Sequence, residues 1–166
     1  MSFYEEISNK EGIKFFPLIG TIFVSDDEDL WANPFQNREL RPRCFFKIID
    51  KNTMEIFFHL TKNEFKRTKI ETLPCHTYFS GAYNQINVCQ MRAFGELYLL
   101  TEAPDVDKFK NELVVDLDKR TNNTKVSSMN QVTTQEKNVA LEVVSHGGMF
   151  FKFVPISYAK HTYERG

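Results

Sequence analysis

IFFHLTKNEFKRTKIETLPCHTYFSGAYNQINVCQMRAFGELYLL, residues 56–100, is the stretch that decides the fold of this chain. Its apolar residues change period twice, from the alternation of a strand to the spacing of a helix and back again. The patterns predict strands at 54–61, 76–80 and 87–100 and a helix at 62–73. Pro74 ends the helical pattern because a proline removes a backbone donor and clashes with the preceding turn.

The last of these strands carries the clearest alternation in the sequence. Five residues share one predicted face, namely Met91, Ala93, Gly95, Leu97 and Leu99. A glycine inside a strand weakens it, and such a glycine often marks a bulge or the close approach of another chain or a ligand. We therefore predict one of these features at Gly95.

The flanking sequence adds further strands and helices. Residues 43–49 and 54–61 are joined by a polar turn and predict a hairpin. Pro104 in a first turn predicts a helix at 104–113. The almost wholly polar stretch 116–138 predicts a mobile insertion, either a loop or a solvated helix. Two apolar runs, 139–144 and 149–156, predict a terminal hairpin through Gly147 and Gly148.

These patterns predict one domain over residues 1–166. The 16 Phe and 6 Tyr favour sheet structure, since aromatic side chains pack well on a pleated face. Strands outnumber helices and show no regular alternation with them. The expected fold class is mainly β, an antiparallel barrel or sandwich of six to seven strands with peripheral helices.

Charge and hydropathy limit the partners. The 21 basic residues nearly balance the 22 acidic ones, so no global field attracts nucleic acid or an anionic membrane. The sequence has no run of about 18 apolar residues, and its N-terminus lacks the features of a secretory signal. We expect a cytoplasmic protein without a membrane partner. The four scattered histidines do not predict a metal site.

The central segment resembles a known family. Six features follow one another in the family's order, and the separations from Lys66 to Pro74 and from Gln90 to Gly95 fit without a gap. They are Arg43, Leu60-Thr61, Lys66, Pro74, Gln90 and Gly95. This order is similar to that of the pyridoxamine 5′-phosphate oxidase-like, FMN-binding split β-barrels, a superfamily that includes general stress proteins and flavin reductases. The resemblance covers roughly residues 40–102, and a weaker one covers 139–154.

The resemblance implies an oxidoreductase that binds FMN between the two subunits of a homodimer and transfers hydride to or from a small molecule. By analogy, Arg43 and Lys66 neutralise the flavin phosphate. The backbone around His59, Leu60 and Thr61 runs along the isoalloxazine ring, and Gln90 comes from the partner subunit. In such a protein the redox chemistry belongs to the cofactor.

Two alternatives remain open. Glu64 stands where family members that bind the phosphate commonly carry a serine, and a carboxylate repels a phosphate. This favours a split-barrel module that has lost FMN and binds another small molecule or cofactor such as haem. A barrel that binds single-stranded nucleic acid through its aromatic residues is the third reading, which the balanced charge disfavours. The lysines of 62–69 also fit a solvated helix face.

Overall fold

The computed structural model describes residues 22–25, 43–44, 47–50, 53, 55–83, 87–124 and 131–164. Within these ranges the chain forms seven strands and three helices. The strands are β1 (Ile22–Ser25), β2 (Arg43–Cys44), β3 (Lys47–Ile49), β4 (Ile56–Leu60), β5 (Cys75–Tyr83), β6 (Asn87–Leu99) and β7 (Met149–Glu164). The helices are α1 (Lys62–Lys66), α2 (Ala103–Arg120) and α3 (Thr134–Ser145). None of the helices so described is long and apolar enough to cross a membrane.

All seven strands belong to one antiparallel sheet in the order β2-β1-β5-β6-β7-β4-β3. The predicted strands at 76–80 and 87–100 are confirmed as β5 and β6. The predicted hairpin is confirmed for β3 and β4, where Ile48 pairs with Phe57. The segment predicted as one strand at 43–49 instead contains two, because β2 pairs with β1 on the opposite side of the sheet.

Aromatic side chains on one face of the sheet force it to curl. β4 and β5 are separated by two strands, so a flat sheet would hold them about 14 Å apart. The ring centroids of Phe58 on β4 and Phe79 on β5 are nevertheless 4.9 Å apart, edge to face. Phe151 and Phe153 of β7 fill the space between them. The inner face therefore encloses a core that each strand from β5 to β4 helps to line.

The curl does not close the sheet by hydrogen bonds within the described ranges. β2 lies close to β4, yet no backbone ladder joins β2 to β3 or β4 in the part of the chain described. The structure thus shows an open, strongly curled antiparallel sheet with α2 and α3 on its outer face. The barrel of six to seven strands that the sequence predicts is not confirmed.

The first helix is shorter than predicted. α1 contains only Lys62–Lys66, whereas the periodicity predicted a helix over 62–73. The turn that follows ends at Lys69, whose φ of 61° is left-handed. The Thr68 hydroxyl donates to Phe65 O and accepts from the Ile70 backbone N–H, which stabilises this exit. Ile70 and Phe65 still pack on the core. The apolar spacing therefore indicates the buried residues correctly, although the helix ends at Lys66.

The second half of the chain corrects two predictions. The helix predicted at 104–113 continues to Arg120, and residues 139–144, predicted as a strand, belong to α3. The ends of the segment 116–138 complete α2 and begin α3, and the mobility of this segment stays a prediction. Between them Val132 is buried, with a parallel bridge to Thr121.

Helical spacing on α2 and α3 explains both corrections. The buried residues recur every three or four positions, namely Phe109, Leu113 and Leu117 on α2 and Ala140 and Val144 on α3. They pack on Phe57 and Phe150, which point to the outer face of the sheet. The two helices therefore cover the β4–β7 part of that face. The predicted hairpin through Gly147 and Gly148 is instead a turn from α3 into β7.

The prediction at Gly95 is confirmed as a bulge. The register of β6 against β7 shifts between Phe94 and Gly95. A Cβ atom on Gly95 would lie 2.9 Å from Pro155 Cα and even closer to Val154 O, both of which belong to the β7 backbone. The close approach is therefore made by the neighbouring strand of the same chain.

We predict that Gly95→Ala destabilises the protein by about 3 kcal/mol, the upper part of the range for overpacked sites, because β7 must move. Urea unfolding measures the free energy change. Gly147→Ala is the matched control, since its Cβ meets nothing within 4 Å and only the positive φ opposes it. That control should cost about 1–2 kcal/mol. Equal losses in the two variants would contradict the tight β6–β7 contact.

Candidate functional site

An open cleft of about 600 Å³ lies where β4 leads into α1 and where α3 turns into β7. The end of α3 lies opposite the beginning of α1 at this cleft. Its lining residues are Thr61, Lys62, Glu142, Val143, His146, Gly147 and Gly148. The first two form one wall, Glu142, Val143 and His146 form the opposite wall, and the two glycines form the floor.

The α1 wall is organised by a capping box. The Thr61 hydroxyl accepts from the Glu64 backbone N–H at 3.1 Å, and the Glu64 carboxylate accepts from the Thr61 backbone N–H at 2.9 Å. This reciprocal pair satisfies two of the donors that a helix start leaves open. The Glu64 carboxylate is therefore held at the start of α1 and stabilises it. Lys62, the first residue of the helix, is exposed.

The α3 wall is organised by the end of the helix. The His146 backbone N–H donates to Glu142 O and Val143 O, and its ring Nδ1 lies 2.7 Å from Glu142 O. A carbonyl oxygen only accepts, so Nδ1 must carry the proton of this hydrogen bond. In the neutral ring Nε2 is then an acceptor. No hydrogen bond to Nε2 is seen among the residues described.

The Gly147–Gly148 turn is fixed to β4 by His59. The His59 Nε2 lies 2.6 Å from Gly147 O and donates to it. Both glycines have positive φ, 96° and 101°. A Cβ atom on Gly148 would overlap the His59 ring and would lie 2.9 Å from Leu60 O. The imidazole and the backbone of β4 therefore require a residue without a side chain at this point.

His59 is half-buried between the sheet and α2. The His59 ring packs against Phe150, and the centroids of the two rings are 4.9 Å apart. The Lys110 ammonium lies over the Phe150 ring, 5.4 Å from its centroid. Burial lowers the pKa of His59 below its ordinary value of 6.5. The Gly147 carbonyl and the Glu64 carboxylate act in the opposite direction, and Lys110 lowers the pKa further. His59 is therefore a neutral side chain that positions the turn.

The structure brings together only some of the residues predicted from sequence. His59, Leu60 and Thr61 lie in succession at the end of β4, where Thr61 lines the cleft and Leu60 is fully buried. Lys66 is exposed at the end of α1 and is not among the lining residues. The two other predicted residues, Arg43 and Gln90, lie on β2 and β6 and pair with Phe23 and with Ala82 and His161.

The sequence patterns do not point to Lys62, His146 or the glycine pair as site residues. A hairpin turn at the glycines requires a strand before them, and residues 139–144 are helical instead. One sequence motif does indicate both helix starts. Thr-x-x-Glu, the pattern of a capping box, occurs at 61–64 and at 133–136, and in both places it begins a helix. In the described part of the chain, no group of three His, Cys, Asp or Glu side chains is arranged to bind a metal.

The lowered pKa of His59 predicts a pH dependence of stability. The unfolded chain takes up a proton near pH 6.5 while the folded chain resists it. The stabilisation is fully present above that pH and is lost as the pH falls toward the lowered pKa. We predict that His59→Gln, which retains a donor for Gly147 O but cannot titrate, reduces the difference in unfolding free energy between about pH 7.5 and about pH 5.5.

Urea unfolding at the two pH values measures this difference. His76→Gln is the matched control, since the His76 side chain is 61% exposed and its ion pair with Glu96, at 3.6 Å, lies at the surface, where such pairs contribute little. The control should retain the pH dependence of the unmodified chain. An unchanged pH dependence in His59→Gln would show that this residue is not a source of it.

The fold is similar to that of a solved structure, the FAD binding protein from Mycobacterium smegmatis. The alignment covers 99% of this chain and 99% of that chain, with a TM-score of 0.52 and 6% sequence identity. No protein-family model matches the chain, and a search of curated proteins gave no match. The similarity shows a shared fold over nearly the whole length of both chains.

Proposed function

We propose that this chain is a flavin-binding protein and that the cleft between α1 and α3 takes part in holding the flavin. The observation that carries the proposal is the shared fold, which extends over nearly all of this chain and of a protein that binds FAD. The resemblance of residues 40–102 to the FMN-binding split barrels supports the same ligand class independently.

The residues at the cleft fit a flavin. A volume of about 600 Å³ lies within the range of small-molecule sites, roughly 300–1,000 Å³. The Gly147–Gly148 turn lets a flat ring approach the backbone, and Val143 offers an apolar surface. Lys62 can donate hydrogen bonds and His146 can accept one. A bound flavin would supply hydride-transfer chemistry, and the chain would bind the ring, orient it and limit its access to water.

The proposal extends to the type of flavin, the activity and the oligomeric state. We propose FMN as the flavin, an oxidoreductase activity toward a small molecule, and a homodimer in which Gln90 reaches the flavin of the partner subunit. Arg43 and Lys66 remain the candidates for the phosphate. β2, which carries Arg43, lies close to β4, and this proximity supports a role of Arg43 near that strand.

We predict that the purified protein either carries the blue absorption band of flavin or quenches the fluorescence of added FMN. Val143→Trp fills one wall of the cleft and should weaken FMN binding at least about tenfold, because the bulky ring occupies the space of the ligand. Val139→Trp is the matched control. It lies one turn earlier on α3, is also exposed, and is not a lining residue.

Fluorescence titration with FMN, FAD and riboflavin measures these affinities. Unchanged binding in Val139→Trp together with a loss in Val143→Trp is the result we expect. A colourless protein that binds none of the three flavins would contradict the proposed function. Equal losses in the two variants would place the flavin outside the cleft.

The capping box favours one second candidate, a split-barrel module that binds a different small molecule such as haem. The Glu64 carboxylate occupies the start of α1, where the resemblance places a phosphate-binding serine. The absorption spectrum of the purified protein separates the candidates, because a bound haem gives a Soret band. Restored FMN affinity in Glu64→Ser would support the loss of flavin, and unchanged affinity would oppose it.

A further inference from the structure

We propose that the cleft holds the uncharged hydrogen-bonding edge of the flavin ring and not the flavin phosphate, and that Lys62 and His146 recognise this edge. The edge carries one ring N–H between two carbonyl groups. This inference rests on the proposed function. It assigns a part of the ligand to two residues that the sequence resemblance does not include.

The α1 wall is unsuited to a phosphate. The backbone donors of Thr61 and Glu64 are already used in the capping box, so they are not available to phosphate oxygens. The carboxylate that completes the box would repel a dianion nearby. Lys62 alone remains as a cationic donor on this wall.

The α3 wall opposes an anion more strongly. The last carbonyl groups of a helix carry a partial negative charge, and α3 ends at Ser145 with its final turn facing the cleft. Glu142 adds a full negative charge to the same wall. Lys62 and Glu142 form no ion pair in the described structure, and together they leave the cleft without net charge when His146 is neutral. A phosphate group would therefore gain little electrostatic attraction in the cleft.

A ring edge that both donates and accepts matches the same two walls. His146 Nδ1 is committed to Glu142 O, so its Nε2 presents an acceptor for a ring N–H. On the other wall the Lys62 ammonium can donate to a ring carbonyl, and a hydrogen bond to a charged group is among the stronger kinds. The glycine pair, held down by His59, leaves the ring face unobstructed.

Titrations with riboflavin and FMN test this assignment, since the two ligands share the ring and differ by the phosphate. Lys62→Met should weaken both ligands by the same factor, about tenfold. Lys119→Met is the matched control, because Lys119 is an exposed lysine of α2 that does not line the cleft. It should bind both ligands as the unmodified chain does.

Two substitutions of His146 test the second contact. In His146→Asn the amide nitrogen takes the place of Nδ1 and keeps the hydrogen bond to Glu142 O, but nothing replaces Nε2. His146→Gln reaches the position of Nε2 with its amide. We expect about tenfold weaker riboflavin binding in the asparagine variant and affinity close to that of the unmodified chain in the glutamine variant. Circular dichroism confirms that α3 is retained in both.

The outcomes separate this inference from the proposed function. A loss confined to FMN in Lys62→Met would place the phosphate in the cleft and overturn the inference while flavin binding stands. Unchanged binding of both flavins in Lys62→Met and His146→Asn would also overturn it. If the unmodified chain binds no flavin at all, the proposed function fails and the inference fails with it.

Discussion

The contact between Phe58 and Phe79 is the constraint on which the described structure depends. It joins two strands that are not neighbours and so requires the sheet to curl across β6 and β7. Both side chains are almost completely buried, and truncation of such a phenylalanine typically costs about 3–5 kcal/mol. Because side chains alternate along a strand, the same curl turns Phe57 and His59 outward. The helices α2 and α3 pack over that outward surface, and the end of α3 thereby reaches the end of β4.

The cleft follows from this meeting of two helix ends. At the start of α1 the charge of the backbone donors is balanced by Glu64, and at the end of α3 the backbone acceptors are partly satisfied by His146. Between them lies a space with one cationic wall, one acidic wall and a glycine floor. His59 connects the floor to the sheet, so the shape of the cleft is coupled to the core beneath it. Such a space suits a flat ligand that presents both donors and acceptors.

The sequence predicted the strands better than the helices, for a physical reason that differs from element to element. Alternation identified β6, because half of that strand faces an apolar core, and the glycine within the strand indicated the bulge. Residues 139–144 contain three valines, and β-branched residues favour strands when judged locally. The capping box at Thr133 and the burial of Ala140 and Val144 on one helical face outweigh this preference. The helix α1 ends at Lys66, and a turn to the left-handed Lys69 follows where the periodicity continues.

The site was only partly predictable, because some of its residues are brought together by the packing of helices and not by local sequence. His59, Leu60 and Thr61 were identified through the family resemblance, and Thr61 does line the cleft. Lys62 and His146 become neighbours only through the packing of α3, which local sequence did not indicate. A crystal structure of the chain grown with riboflavin tests the account most directly. We predict density for the ring between Lys62 and His146, above the glycine turn. A ring bound elsewhere, for example over the stacked pair His76 and Phe94, would contradict it.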